Sequence, residues 1–118
     1  MQNTVADLDH ATHEQVARLL GAVRAAEMLD LLGGSLATLR DMPEAEFAAP
    51  AGLALVHRLK SEAGLMGFDR LARACDAVDA AGSRGEVPAE DLARLREAIA
   101  SALAIVDMLD GCGKCPND

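Results

Sequence analysis

The sequence predicts an all-α protein, an antiparallel four-helix bundle with a short N-terminal capping helix. Three observations carry this. Alanine (24) and leucine (17), both strong helix formers, supply 41 of the 118 residues. The residues from which sheets are built are scarce: valine, isoleucine and threonine total 12, with two phenylalanines and no tyrosine or tryptophan. Apolar residues also recur at intervals of three and four over long segments joined by short glycine- or proline-marked links, and short links favour antiparallel neighbours.

Each element can be justified in order. Residues 1–11 are polar and read as a flexible N-terminus. Thr12 to Gln15 has the form of a capping box, so a short helix carrying Val16, Leu19 and Leu20 is expected from Thr12, interrupted at Gly21. From Ala22 to about Met42, Val23, Ala26, Met28, Leu29, Leu32, Leu36 and Leu39 form one apolar stripe. Gly33-Gly34 within it marks a kink or a close helix contact. Met42-Pro43 ends that helix, and residues 43–50 read as an acidic connector. A third helix is expected from Pro50 to Met66, with Pro50 in its first turn and Gly67 at its end. A fourth spans about Asp69–Ala81, with Leu71, Ala74, Cys75 and Val78 facing inward, followed by a Gly82–Gly85 turn. The fifth opens at Pro88-Ala89-Glu90-Asp91, with acids at the positive end of its dipole, and runs through Leu92, Leu95, Ile99, Ala102, Val106 and Leu109 to Gly111. Residues 12–110 are thus the bundle, and residues 111–118 a flexible tail.

Several function classes are excluded or disfavoured. Acids outnumber bases 19 to 11 for a net charge of −8, the wrong sign for a nucleic-acid binder. No apolar run reaches the roughly 18 residues of a membrane span. The first basic residue is Arg18, so no secretory leader is expected and the cytoplasm is the expected compartment. No glycine-rich phosphate loop is present, and the chain is too short to add an ATP-binding kinase domain, so no autonomous kinase activity is expected. The lean aromatic content suggests a slim bundle without a large ligand pocket. A monomer that acts on partner proteins is the reading that remains.

The informative segment is His57–Gly67. At about 100° per residue, Gly52, Leu55, Leu59, Ala63 and Met66 gather on one side of the third helix, with Val56 at the edge. His57 lies opposite, facing solvent. Ser61 and Gly64 stand one and two turns above it, Lys60 one turn above and slightly aside, and Leu53 and Ala54 a turn below. An exposed histidine among small or apolar neighbours is open to something large. No carboxylate, cysteine or second histidine lies three or four residues away, so metal binding is poorly supported. An ordinary surface histidine is one reading; a ring nitrogen that carries a group covalently is the other.

His57-Arg58-Leu59-Lys60-Ser61-Glu62-Ala63-Gly64-Leu65-Met66-Gly67 resembles the H-x-L-K-G-[SA]-A-x-x-x-G signature of histidine-containing phosphotransfer (HPt) domains. The resemblance continues through Leu71-Ala72 and Cys75, the Gly82–Glu86 turn and the last helix, and covers about residues 12–109. It implies that His57 takes a phosphoryl group from a receiver-domain aspartate and passes it to another receiver. Lys60 would compensate phosphoryl charge, and Leu53, Ala54, Arg58, Ser61, Gly64 and Asp79 would form the docking surface. The implied partners are receiver domains of response regulators or of a hybrid histidine kinase. The chain would hold no cofactor of its own, the Mg²⁺ coming with the receiver.

The chain departs from the pattern at three places. Ser61 stands where the family usually has glycine, and Glu62 replaces a small residue at the core boundary. Asp79 stands where some members carry a glutamine that bonds the imidazole; if it reaches Nδ1–H it would fix the ring tautomer. His10 and His13 are expected to be merely solvated, Cys75 to be a small buried hydrophobe and Phe68 a core plug. Three alternatives stay open: an adaptor that binds receivers without being phosphorylated, a dimeric phosphotransferase built from a kinase-like hairpin, and a metal or redox bundle using the Cys112/Cys115 pair.

Overall fold

A computed structural model describes the backbone of residues 8–114 and the side chains of residues 8–109. The described residues are helical and contain no strand. Five α-helices follow one another: α1 (His10–Leu20), α2 (Ala22–Arg40), α3 (Pro50–Leu65), α4 (Asp69–Ser83) and α5 (Ala89–Lys114), with a short 3₁₀ helix at Glu44–Ala48. Helix α3 packs on α4, α4 on α5, α5 on α2 and α2 on α3, closing a ring around one core. Leu32, Leu36 and Leu39 of α2, Val56, Leu59 and Ala63 of α3, Leu71, Cys75 and Val78 of α4, and Leu95 and Ile99 of α5 fill it.

The leucine periodicity therefore reads correctly, with local differences. On α2 the inward alanine is Ala25 rather than Ala26, and Val23 is exposed. On α3 Gly52, Leu59 and Ala63, with Met66 at its cap, are buried as expected, but Val56 is fully buried and Leu55 only partly so, the two exchanging core and edge places. Gly33 takes the close-contact option: a methyl there would lie 3.4 Å from Val106 of α5.

Helix α1 begins at His10, two residues before the expected start. Its cap is Asp9, whose carboxylate accepts from the Thr12 backbone amide (3.2 Å) and hydroxyl (3.0 Å). Aspartate is the better N-cap, and Thr12 then serves at the third helical position. No α1 residue is fully buried, and Leu19 and Leu20 are exposed rather than core. Leu8 is buried, and the Asp9 amide donates to the Gly67 carbonyl at 2.7 Å. That bond ties the entry of α1 to the α3–α4 turn.

The connector after α2 is more than a link. The 3₁₀ helix drives Phe47 completely into the core, with the Arg96 guanidinium 5.2 Å above its ring. At the other end of the chain, α5 continues through Gly111 to Lys114. Glycine costs helix propensity but ends a helix only when its backbone turns left-handed, so Gly111 was a weak stop signal. Residues 1–7, and Cys115 with the three residues after it, lie outside the described residues, as does the Cys112 side chain.

The two turns that frame α4 share one device. Gly67 (φ 93°) ends α3, with Phe68 N–H donating to the Ala63 carbonyl at 2.8 Å and Gly67 N–H to that of Gly64 at 3.2 Å. Gly85 (φ 95°) repeats the pattern after α4, through Glu86 N–H to Ala81 and Gly85 N–H to Gly82. Both are Schellman closures, in which a left-handed glycine lets the last carbonyls find donors. Phe68 is buried beneath the first, the core plug the sequence suggests.

Candidate functional site

The α3–α4 pair positions the site. Gly82 faces Leu53, so closely that any side chain there would collide with the leucine, and a methyl at Gly64 would come into ordinary contact with Ala72. Small residues at these crossings bring the two helices together, and polar side chains along their shared outer edge can meet. Leu53, expected on the docking surface, is half-buried in this crossing, so much of its area is covered by α4.

His57 projects from α3 with 64% of its side chain exposed. Its Nδ1 lies 2.8 Å from Oδ2 of Asp79 on α4, a residue 22 positions away in sequence and only 19% exposed in its side chain. Against an ionised carboxylate Nδ1 must be the donor, which leaves the Nε2 lone pair free in the neutral ring. Lys60, one turn along α3, reaches the same Asp79 oxygen at 3.4 Å and Asp76 Oδ1 at 3.3 Å. The sequence places Lys60 as a free cation beside the histidine; in the structure it already bridges two carboxylates.

The charges respond accordingly. The His57 hydrogen bond, helped by Lys60, holds the Asp79 carboxyl below its ordinary range against the opposing effect of partial burial. The bond to Asp76, with that to Asp79, raises the Lys60 ammonium above its usual value. Cys75, one turn before Asp79, is fully buried, and loss of hydration pushes its thiol up to about 12. It is a packing residue rather than a nucleophile.

The rest of the predicted surface is distributed as follows. Ala54, Ser61 and Gly64 are exposed beside His57, and Arg58 is exposed and lies 3.7 Å from Glu62 one turn on. His13 is not simply solvated: its ring is half-buried and Nδ1 lacks a hydrogen-bond partner among the described residues. Among the described residues no three His, Cys, Asp or Glu side chains gather in a way that would hold a metal ion. No helix among them is long and apolar enough to cross a membrane. A groove of about 380 Å³ does lie between α4 and α5, lined by Arg70, Arg73, Arg94 and two alanines among others, so the bundle is less closed than its composition suggests. It shares no residue with the His57 cluster.

Sequence reasoning missed Asp76. The signal was present, since Asp76 precedes Asp79 by three residues and so shares its helix face. A carboxylate on an amphipathic helix ordinarily reads as solvated surface, and only the α3 register makes these two face Lys60.

These features define an all-helical protein, among its described residues, that exposes an imidazole with one ring nitrogen held by a carboxylate. The Hpt domain family matches residues 3–105, and the chain belongs to that family. No curated protein and no solved structure matches the chain.

Proposed function

We propose that the protein is a phosphocarrier in a multistep His–Asp relay: His57 accepts a phosphoryl group from a receiver-domain aspartyl phosphate and passes it to another receiver. Membership of the Hpt domain family supports histidine phosphotransfer as the activity. The observation that carries the reading for this chain is the 2.8 Å bond between His57 Nδ1 and Asp79, on a ring otherwise open to solvent. With Nδ1 held as the donor, Nε2 is the nitrogen left to act as nucleophile on a largely exposed ring.

The step needs little else from this chain. The Nε2 lone pair forms the N–P bond, and the P–O bond to the donor aspartate breaks, its electron pair staying on that carboxylate. The Nδ1 proton stays in place, and Asp79 stabilises the positive charge the ring gains. Lys60 is the cation within reach of the incoming phosphoryl group. Receiver and Mg²⁺ arrive together, and the exposed Ala54, Arg58, Ser61 and Gly64 let the receiver's active-site loops approach. The ring of α2–α5 contacts, with α1 packed on α2, supports an antiparallel four-helix bundle that carries a short extra helix. A cytoplasmic setting fits a carrier without a membrane-spanning helix among its described residues.

The test is phosphorylation by a Mg²⁺-loaded, phosphorylated receiver. Wild type should gain acid-labile, base-stable phosphate, and His57→Ala should gain none. Equal labelling of His57→Ala would overturn the assignment of the acceptor. Receiver binding without any labelling of wild type would make the protein an unphosphorylated adaptor.

A further inference from the structure

Lys60 is shared between two carboxylates that differ in their other duties. Asp79 also accepts the His57 bond and is largely covered, whereas Asp76 has 67% of its side chain exposed and no other polar partner among the described residues. Both contacts are longer than the His57–Asp79 bond, at 3.3 and 3.4 Å against 2.8 Å. The site thus combines one tight bond that orients the ring with one loosely divided cation.

Phosphorylation changes the charge around that cation. A phosphoryl group brings between one and two negative charges and three acceptor oxygens to a place that already holds two carboxylates and a single ammonium. Two of the three Lys60 donors are engaged, so the third can turn to the newcomer, and moving toward the ring lengthens one of the two present contacts. Leaving Asp79 would strip a mostly covered carboxylate. Leaving Asp76 costs little, because water replaces the lost contact at an exposed carboxylate.

We propose that Asp76 is a restraint on Lys60: it holds the ammonium beside α4 in the resting protein and releases it to the phosphoryl group, thereby setting how readily His57 is charged and how quickly phospho-His57 gives up its load. This rests on His57 being the phosphoryl acceptor. The transfer itself is balanced as above, with the N–P bond formed, the aspartyl P–O bond broken and the Nδ1 proton retained. Asp76 exchanges no atom with the phosphoryl group and is a positioning residue. It competes with the loaded state for its counter-cation, so it favours onward transfer over storage.

The experiment uses the full chain charged with phosphoramidate, and follows acid-labile phosphohistidine by ³¹P NMR during loading and during decay after the donor is removed. Asp76→Asn keeps the side-chain shape and removes the charge. It should load faster and retain phosphate longer than wild type, each by roughly two- to fivefold, the range a single exposed ion pair supports. A Lys60→Ala background supplies the readout that a merely structural role would not move: there, Asp76→Asn should change neither rate. Identical rates for wild type and Asp76→Asn, or the same change with and without Lys60, would overturn the restraint. Absence of any His57 phosphate in wild type would instead overturn the acceptor reading, and the restraint with it.

Discussion

Asp79 Oδ2 receives both the ring N–H of His57 and the ammonium of Lys60, and most of the site's chemistry follows from that one atom. Because its bond chooses the tautomer, Asp79→Ala should release the ring into a mixture of Nδ1–H and Nε2–H forms. Nitrogen-15 NMR of the imidazole at neutral or higher pH would read this directly, and loading of His57 should fall about tenfold, as for loss of one hydrogen bond to a charged group. An unchanged tautomer would show that Asp79 does not orient the ring. The signs of the shifts give a pH window. Asp79 is lowered, so its pairing is present above the ordinary carboxylate value and lost as pH falls through a lower one. Lys60 is raised, so its pairing is present below 10.5 and lost as pH rises through a higher value. The cluster should therefore persist from about pH 4 to about pH 10. The residues of α3 were legible because helical periodicity fixes which of them point outward. Asp79 was legible only as a distance in sequence from His57, and Asp76 was not, since its role depends on the rotation of α4 against α3.

At the scale of elements, the glycines separate into those that enforce geometry and those that merely occupy a helix. A methyl at Gly52 would run into the Glu46 carbonyl of the 3₁₀ helix, backbone that cannot rotate aside. Gly52→Ala should destabilise the fold by about 3 kcal/mol, the upper range of overpacking. Gly34, in the interior of α2, has nothing within 4 Å of the same position, so Gly34→Ala should stabilise by about 0.5–1 kcal/mol. Urea unfolding of the two variants against wild type would check both signs; equal effects would mean that the 3₁₀ contact does not constrain α3. Periodicity placed α2, α3, α4 and α5, because buried stripes at intervals of three and four are a direct imprint of helix packing. It could not place the 3₁₀ helix. Residues 43–50 are acidic with one large apolar member, and a single phenylalanine has no period. Its burial goes with the close approach of the Glu46 carbonyl to Gly52, a contact between segments that local patterning does not record.

For the whole molecule, burial is uneven. The ring of α2–α5 encloses the core, while α1 lies outside it with no fully buried residue and is fastened chiefly by Leu8, the Asp9–Gly67 bond and contacts along α2. A segment with few buried apolar contacts opens at a lower free energy than the core. Native-state hydrogen exchange should therefore find the α1 amides exchanging well before those of α3 and α4, at least tenfold faster if opening differs by as little as 1.4 kcal/mol. Equal protection would place α1 within the cooperative core. The acidic balance deduced at the outset keeps its meaning at this scale, since the net charge of −8 disfavours polyanions as partners.

All four polar side chains of the site, His57, Lys60, Asp76 and Asp79, belong to the single hairpin of α3 and α4, joined by the Gly67 turn. Helices α2 and α5 contribute none of them and meet that hairpin through its greasy underside. The molecule is consequently divided between a working half and a floor. The floor can change its leucines for other packing solutions without altering what the outer edge presents, whereas the hairpin has almost no latitude, because each polar residue is meaningful only in register with one across the gap. Variation within this lineage should accumulate in the floor, and altered partner choice should be written in the hairpin.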